Sequence, residues 1–306
     1  LSDVTLHDNL VGLGVYWVAT PASTPWVLDN APAGSLQLDV SGSWTGIQST
    51  ASGQYSAGTH RLVLRNFRDS AKLDNPTTGI SISERANASL VNVDASGDGF
   101  GTGILLRGSG HAVSNVDAHQ RTIGLDAKSP DLMAIASFKS NFSTYGLYLT
   151  LLYAGTAPTL SNLDLRWNSI AIGLNQWSAP MTFTPAVGLL LTGSATGFEL
   201  SGNASVADYN VQNITLQNFV GADALHNASA GIWANLSTHR NLVLDNIDAS
   251  GSGRGTGVWL GGANLQVSNL TANKRATGLA LTATGTLQVT GLSVSSITRV
   301  SSGGRP

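Results

Sequence analysis

The sequence predicts an all-β chain wound as a parallel β-helix, a β-solenoid with coils of roughly 22–26 residues. Three observations carry that expectation: the composition, a recurring Asn, and a recurring Gly-led strand. Of 306 residues, 42% are apolar and only 11% are charged, and Glu occurs just twice, at Glu84 and Glu199. Helix formers are therefore scarce, while Gly, Ser, Thr and Asn favour turns and strands.

The recurring Asn closes a run of alternating apolar residues and is followed by one more, as in "LVLRNF", "SLVNV", "AVSNV" and "VLDNI". It falls at Asn66, Asn92, Asn115, Asn162, Asn213, Asn246 and Asn269, at intervals of 26, 23, 47, 51, 33 and 23 residues. Ser137 divides the interval of 47, and Gly291 follows Asn269 by 22. Asn tolerates the left-handed conformation of a sharp turn, and its amide can bond to an Asn one coil away. On this reading the stacked amides are buried, so the sequons at Asn213 and Asn269 are poor glycan acceptors.

A Gly–apolar–x–apolar phrase trails the Asn by about ten residues, as "GISI" at Gly79, "GILL" at Gly103, "GLDA" at Gly124, "GLYL" at Gly146, "GVWL" at Gly257 and "GLAL" at Gly278. Each repeat thus holds at least two short strands separated by turns. This Asn ladder and these Gly-led strands, from about residue 58 to 296, resemble the right-handed parallel β-helix superfamily, the pectate-lyase-like fold. The resemblance implies architecture and points to no one family within it.

Residues 1–57 carry apolar strands and Trp17, Trp26 and Trp44, the composition expected of an N-terminal cap over an otherwise open coil. The solenoid is expected over 58–298, with an irregular coil and insertion at 178–212, and a short tail over 299–306. No amphipathic helix closes the C-terminal coil, so a partner or further chain is expected to cover it. Leu1 is no start methionine, and a chain processed or cut from a longer one is expected.

The best-matched repeats are "DASGDGFGTGILLRG" at 94–108 and "DASGSGRGTGVWLGG" at 248–262, 154 residues apart. Neither is a phosphate loop, because G-x-G-x-x-G and GK[ST] are absent and no helix follows. Asp94 and Asp98 could begin a calcium loop, but the twelfth position is Leu105 and the twin has Ser252 in place of Asp98. The reading preferred is a long turn, with no metal and no cofactor.

Catalysis on this fold by paired acids would need neighbouring carboxylates at matching coil positions. Asp94 and Asp117, each two residues after a ladder Asn, are the acids to test if the chain is an enzyme; Asp164 and Asp248 share that offset. Solvated turn acids are the expectation instead. The hydrolase motifs N-T-D, D-D, G-H-G and R-I-K are missing, with "GHA" at His111 the nearest approach. Trp233 and Trp259 hold equivalent strand positions, should stack on consecutive coils and should point outward, forming an aromatic contact surface.

A formal charge of −2 gives no reason to expect nucleic acid, and no apolar run is long enough for a membrane-spanning helix. Absence of Cys removes disulfides and thiolate metal sites. Seven sequons occur; apart from the two ladder positions, Asn87, Asn141, Asn203, Asn227 and Asn235 are the glycosylation candidates. The function expected is a non-catalytic extracellular or cell-surface structural protein, a surface-layer or filament subunit stacking end to end, with self-association head to tail or lateral. The alternatives are a carbohydrate-active β-helix enzyme or tailspike, and an adhesin that binds polysaccharide.

Overall fold

A computed structural model describes the chain except for residues 1–3, 7–8, 18–25, 30–37, 40–42, 52–60, 68–76, 84–86, 109, 129–132, 152–156, 178–180, 185–188, 202–211, 220–229, 237–239, 284, 296–298 and 303–306. The described residues contain no helix and wind as a parallel β-solenoid of about seven turns, with coils of about 24 residues. Among the described residues no helix is long and apolar enough to cross a membrane.

One long sheet of twelve strands runs along the solenoid: Val11–Trp17, Thr45–Ala51, Thr78–Ser83, Thr102–Arg107, Ile123–Lys128, Tyr145–Leu151, Ile170–Trp177, Thr196–Ser201, Ala230–Asn235, Thr256–Gly262, Thr277–Ala283 and Arg299–Ser302. A first side sheet holds Trp26–Asp29, Arg61–Phe67, Asn87–Asp94, Ala112–Asp117, Ala134–Lys139, Thr159–Asp164 and Leu189–Leu190. A second side sheet holds Met181–Phe183, Gln212–Phe219, Arg240–Asp248, Asn264–Thr271 and Leu287–Thr290. The handover between side sheets falls at 181–190, within the stretch expected to be irregular, while the long sheet passes through unbroken.

The Asn phrase makes the corner. Asn92, Asn115, Asn162, Asn246 and Asn269 all have φ between 51° and 56°, and Ser137 and Gly291 share the left-handed conformation at 51° and 63°. A left-handed residue resets the strand alternation, so Val113 and Val116 on either side of Ser114–Asn115 both point into the core. Asn66 lies at the register position of Asn92, between the pairs Arg65–Val91 and Phe67–Val93; its side chain is outside the described residues.

Two expectations about this ladder are corrected. The left-handed Asn that takes the ladder place one coil before Asn246 is Asn218, with φ 59°, and not Asn213, which registers with Asn241 inside the strand. "NITLQNF" contains two Asn, and only the second precedes the inward Phe219 at the spacing the corner needs. The ladder amides also stack on the outside of the turn: Asn115 Nδ2 donates to Asn92 Oδ1 at 3.2 Å and Asn246 Nδ2 to Asn218 Oδ1 at 2.8 Å, and Asn115, Asn218 and Asn246 are all exposed. A left-handed backbone swings the side chain off the corner toward solvent, so burial does not protect Asn269.

The Gly of the second phrase is a matter of clearance. A Cβ at Gly103 would stand 2.8 Å from the Gly124 carbonyl and 2.9 Å from Ala118 Cβ; at Gly257 it would meet the Gly278 carbonyl at 2.6 Å and Ala272 Cβ at 2.9 Å. The core behind it is a set of like-on-like columns, including Ile80, Ile104, Leu125, Leu147, Ile172 and Phe198, all fully buried.

In the N-terminal segment, Val11–Trp17 and Thr45–Ala51 already belong to the long sheet and Trp26–Asp29 to the first side sheet. The regular ladders therefore start before residue 58. Val4–Thr5 and Leu38–Asp39 form a separate two-stranded sheet. At the other end, Arg299–Ser302 adds a strand to the long sheet beside Thr277–Ala283.

Candidate functional site

The twin glycine loops hold a cation, and that cation belongs to the chain. Arg121, on the coil after the first loop, is fully buried; its Nε donates to the Ala95 carbonyl at 2.9 Å, Nη2 to Ser96 at 2.9 Å and Nη1 to Phe100 at 3.4 Å. Arg275 repeats this on Ala249, Ser250 and Arg254 at 2.9, 3.1 and 3.5 Å. Gly97 is glycine because a Cβ there would lie 2.5 Å from Arg121 Nε, and Gly251 faces Arg275 in the same way. Burial pulls the Arg275 guanidinium down to about 10, still charged at neutral pH. Around Asp94 and Asp98, where a calcium ion was the alternative to a long turn, carbonyls of the loop face a guanidinium. Asp94 accepts from Ser96 N and Oγ, and Asp98 points to solvent. Among the described residues no three His, Asp or Glu gather as a metal site. The clue in the sequence was Arg275, standing 154 residues after Arg121, the same offset as the loops.

The register brings Asp94 beside Asp117, as the spacing predicts, and continues to Lys139 and Asp164. These acids serve their own turns. Asp117 binds His119 Nδ1 at 2.6 Å and Lys139 Nζ at 2.9 Å; Asp164 takes both Arg166 Nε and Nη2, at 2.8 and 2.9 Å. Burial pushes the Asp117 carboxyl up, but the bonds from Lys139 and His119 outweigh it and hold it below its ordinary value. Arg166 does the same for Asp164 against its burial. Neither is poised as a general acid, which needs a raised value. His111 is buried: Nδ1 accepts from Ala88 N–H and Nε2 faces the Arg107 carbonyl, both at 3.2 Å, so it ties neighbouring coils as a neutral ring. Burial lowers its value, against the bond to Arg107.

The sequons divide. Asn203 and Asn227, and the side chain of Asn87, lie outside the described residues. Asn141 is buried and its Oδ1 accepts from Arg166 N–H at 3.1 Å, so the folded chain offers no acceptor there. Asn235 is exposed at the end of its strand.

The outward face of the long sheet carries the most varied chemistry. In strand-to-strand register it reads Leu105, Asp126, Tyr148, Gly173, Glu199, Trp233, Trp259, Ala280. Trp233 and Trp259 stack as the repeat predicts, with centroids 5.3 Å apart and planes 14° apart. Parallel rings touch at about 3.5–4.0 Å, so these two are offset. A Cβ at Gly173 would meet the rings of Tyr145 and Tyr148 at 2.9 and 3.0 Å, so both tyrosines lie over that glycine. They meet each other edge to face, and Tyr148 Oη accepts from Asn175 Nδ2 at 2.8 Å. Burial pushes Glu199 up. It also pushes up Asp126, only 8% exposed, over the opposing pull of Lys128 at 3.5 Å, and Asp126 Oδ1 has no hydrogen-bond partner. Sequence reasoning found the two tryptophans and missed the rest of the row, although Asp126 in "GLDA", Tyr148 in "GLYL" and Trp259 in "GVWL" hold the same place in the Gly-led phrase.

A second aromatic pair stands on the turns: Phe142 and Trp167 stack at 5.5 Å and 10°, both exposed, both at left-handed φ, with Arg166 over the indole at 4.7 Å. Gln120 and Gly193 take that place on adjoining coils and Lys274 in the second copy, so the position asks for a turn and not for a ring.

No family model matches this chain, and no curated protein does.

Proposed function

We propose that this chain is a non-catalytic structural β-solenoid of the cell surface or extracellular space, assembling end to end with copies of itself into a filament or layer, on the pectate-lyase-like, right-handed pattern of coil. The observation that carries the reading is the last described coil. Leu287, Val289 and Leu292 continue the inward columns of Leu265, Val267 and Leu270, yet they are 44%, 36% and 41% exposed. In the first copy the matching residues, Met133, Ile135 and Phe138, are buried beneath the Thr159–Asp164 coil. A strand edge with its core columns open is a template for another strand. A head-to-tail contact that continues the sheets makes an open fibre. The acids at the turns support the non-catalytic part, being engaged with their own coils.

Light scattering and electron microscopy of the purified chain test this. Particles that lengthen with concentration, and that Val289→Asp with Leu292→Asp returns to monomers, are expected. A wild-type chain that stays monomeric at high concentration would overturn it.

A further inference from the structure

We propose that the outward row from Asp126 to Trp259 is a binding tract for a linear, uncharged polysaccharide lying along the solenoid axis. This does not rest on end-to-end assembly. The row spans five strand spacings, about 24 Å, on a sheet that passes unbroken through the handover of the side sheets. Its two ends differ. Trp233 and Trp259 offer offset indoles, whose faces and edges suit the C–H surface of sugar rings. Tyr148, Asn175 and Glu199 offer acceptors and donors to hydroxyls at the other end, with the Tyr145–Tyr148 pair held over Gly173.

The charges select the ligand. Asp126 and Glu199 stand on the row itself; Lys128 and, beside it on the neighbouring strand, Arg107 answer Asp126, while among the described residues no cation pairs with Glu199. Lys128 flanks Asp126 two residues on along its own strand, and Asp126 keeps an unpartnered, buried Oδ1. Such a row repels polyanions such as polyuronates and accepts hydrogen bonds from neutral sugar hydroxyls. The offset stack gives the tract an aromatic end and a polar end, so a bound chain has a direction.

Affinity electrophoresis in gels cast with a β-glucan, a mannan, a galactomannan, polygalacturonate or heparin tests this on the whole chain. Retardation by at least one neutral polymer and none by the two polyanions is expected. Trp233→Ala and Trp259→Ala should each weaken it about ten-fold, the loss of one stacking contact. Glu199→Gln, which keeps shape and removes the charge, should weaken neutral binding without lowering the thermal melt. It is the deciding variant should a tryptophan replacement unfold the chain. Retardation by the polyanions alone, retardation by nothing, or neutral binding unchanged in Glu199→Gln would overturn the proposal. Running the series on the monomer carrying both Val289→Asp and Leu292→Asp separates failure here from failure of the assembly reading.

Discussion

The two copies of the 154-residue repeat differ where charge sits and agree where backbone must be satisfied. Both keep the arginine clasp, Arg121 on Ala95, Ser96 and Phe100, and Arg275 on Ala249, Ser250 and Arg254. The third contact is a backbone carbonyl, so Phe100 can become Arg254 without loss. The acid cluster is not kept. Asp117, His119 and Lys139 become Thr271, Asn273 and Ser293, and the bonding there passes to Asn273 Oδ1, which accepts from Ser295 N–H. Duplication thus separates what holds a coil from what decorates it. Carbonyls turned toward the coil interior must find donors; an acid and its side-chain partners can be exchanged together.

The largest test of that separation is the clasp. Arg121→Met strips the donors from buried carbonyls and should cost about 4 kcal/mol, lowering the cooperative melt of the whole chain. Arg275→Met removes the same bonds near the last described coil, so its loss should appear in hydrogen exchange as fraying confined to the last coils. Equal global effects at both positions would break the comparison.

Next come the glycines under the guanidinium. Gly97→Ala puts a methyl against Arg121 and should cost about 2 kcal/mol by thermal or denaturant melting. Gly99→Ala meets no atom within 4 Å, but its φ of 106° makes it strained, and about 1 kcal/mol is expected.

Acid should then tell the copies apart. Asp117 sits below its ordinary value when folded, so its stabilisation is present above about pH 4 and is lost as pH falls through the folded value. His111 is also lowered, so its neutral ring stabilises above about pH 6.5 and that contribution fades as pH falls. Their counterparts, Thr271 and Leu265, do not titrate. Exchange protection should drop in the first copy before the second on acidification. Asp126 has the opposite sign: raised when folded, it costs stability as pH rises through its folded value, so Asp126→Asn should raise the melting temperature at pH 7 and change little at pH 3.

The smallest effect is expected at the loop tip. Phe100→Ala should stay within about 0.5 kcal/mol, and added calcium or chelator should leave the melt of either copy unmoved. A calcium-dependent melt abolished by Asp98→Ala would restore the metal reading.

The long-range chemistry was harder to read than the coil. Asn92, Asn115 and Asn246 announced their corners because a left-handed turn restricts residue type at one position. Asn213 misled because two Asn lie five apart in one strand, and only the position of Phe219 distinguishes them. The clasp was invisible as such, since Arg121 reaches back some 25 residues to its carbonyls and "HQRTIGL" reads as an ordinary turn. Asp126 and Tyr148 were alignable from their shared place in "GLDA" and "GLYL", but Glu199 could join them only once the strands had been counted through the irregular coil.

By itself the sequence determined the coil: its strands, its period, its corners and the stacking of Trp233 on Trp259, because those follow from spacing that repeats along the chain. Only the tertiary structure decided which loop grips which arginine, that the ladder amides face solvent, and that Glu199 continues the row of Asp126 and Tyr148 to the tryptophans. Those depend on register between coils, where residues more than twenty positions apart come within one strand spacing of each other.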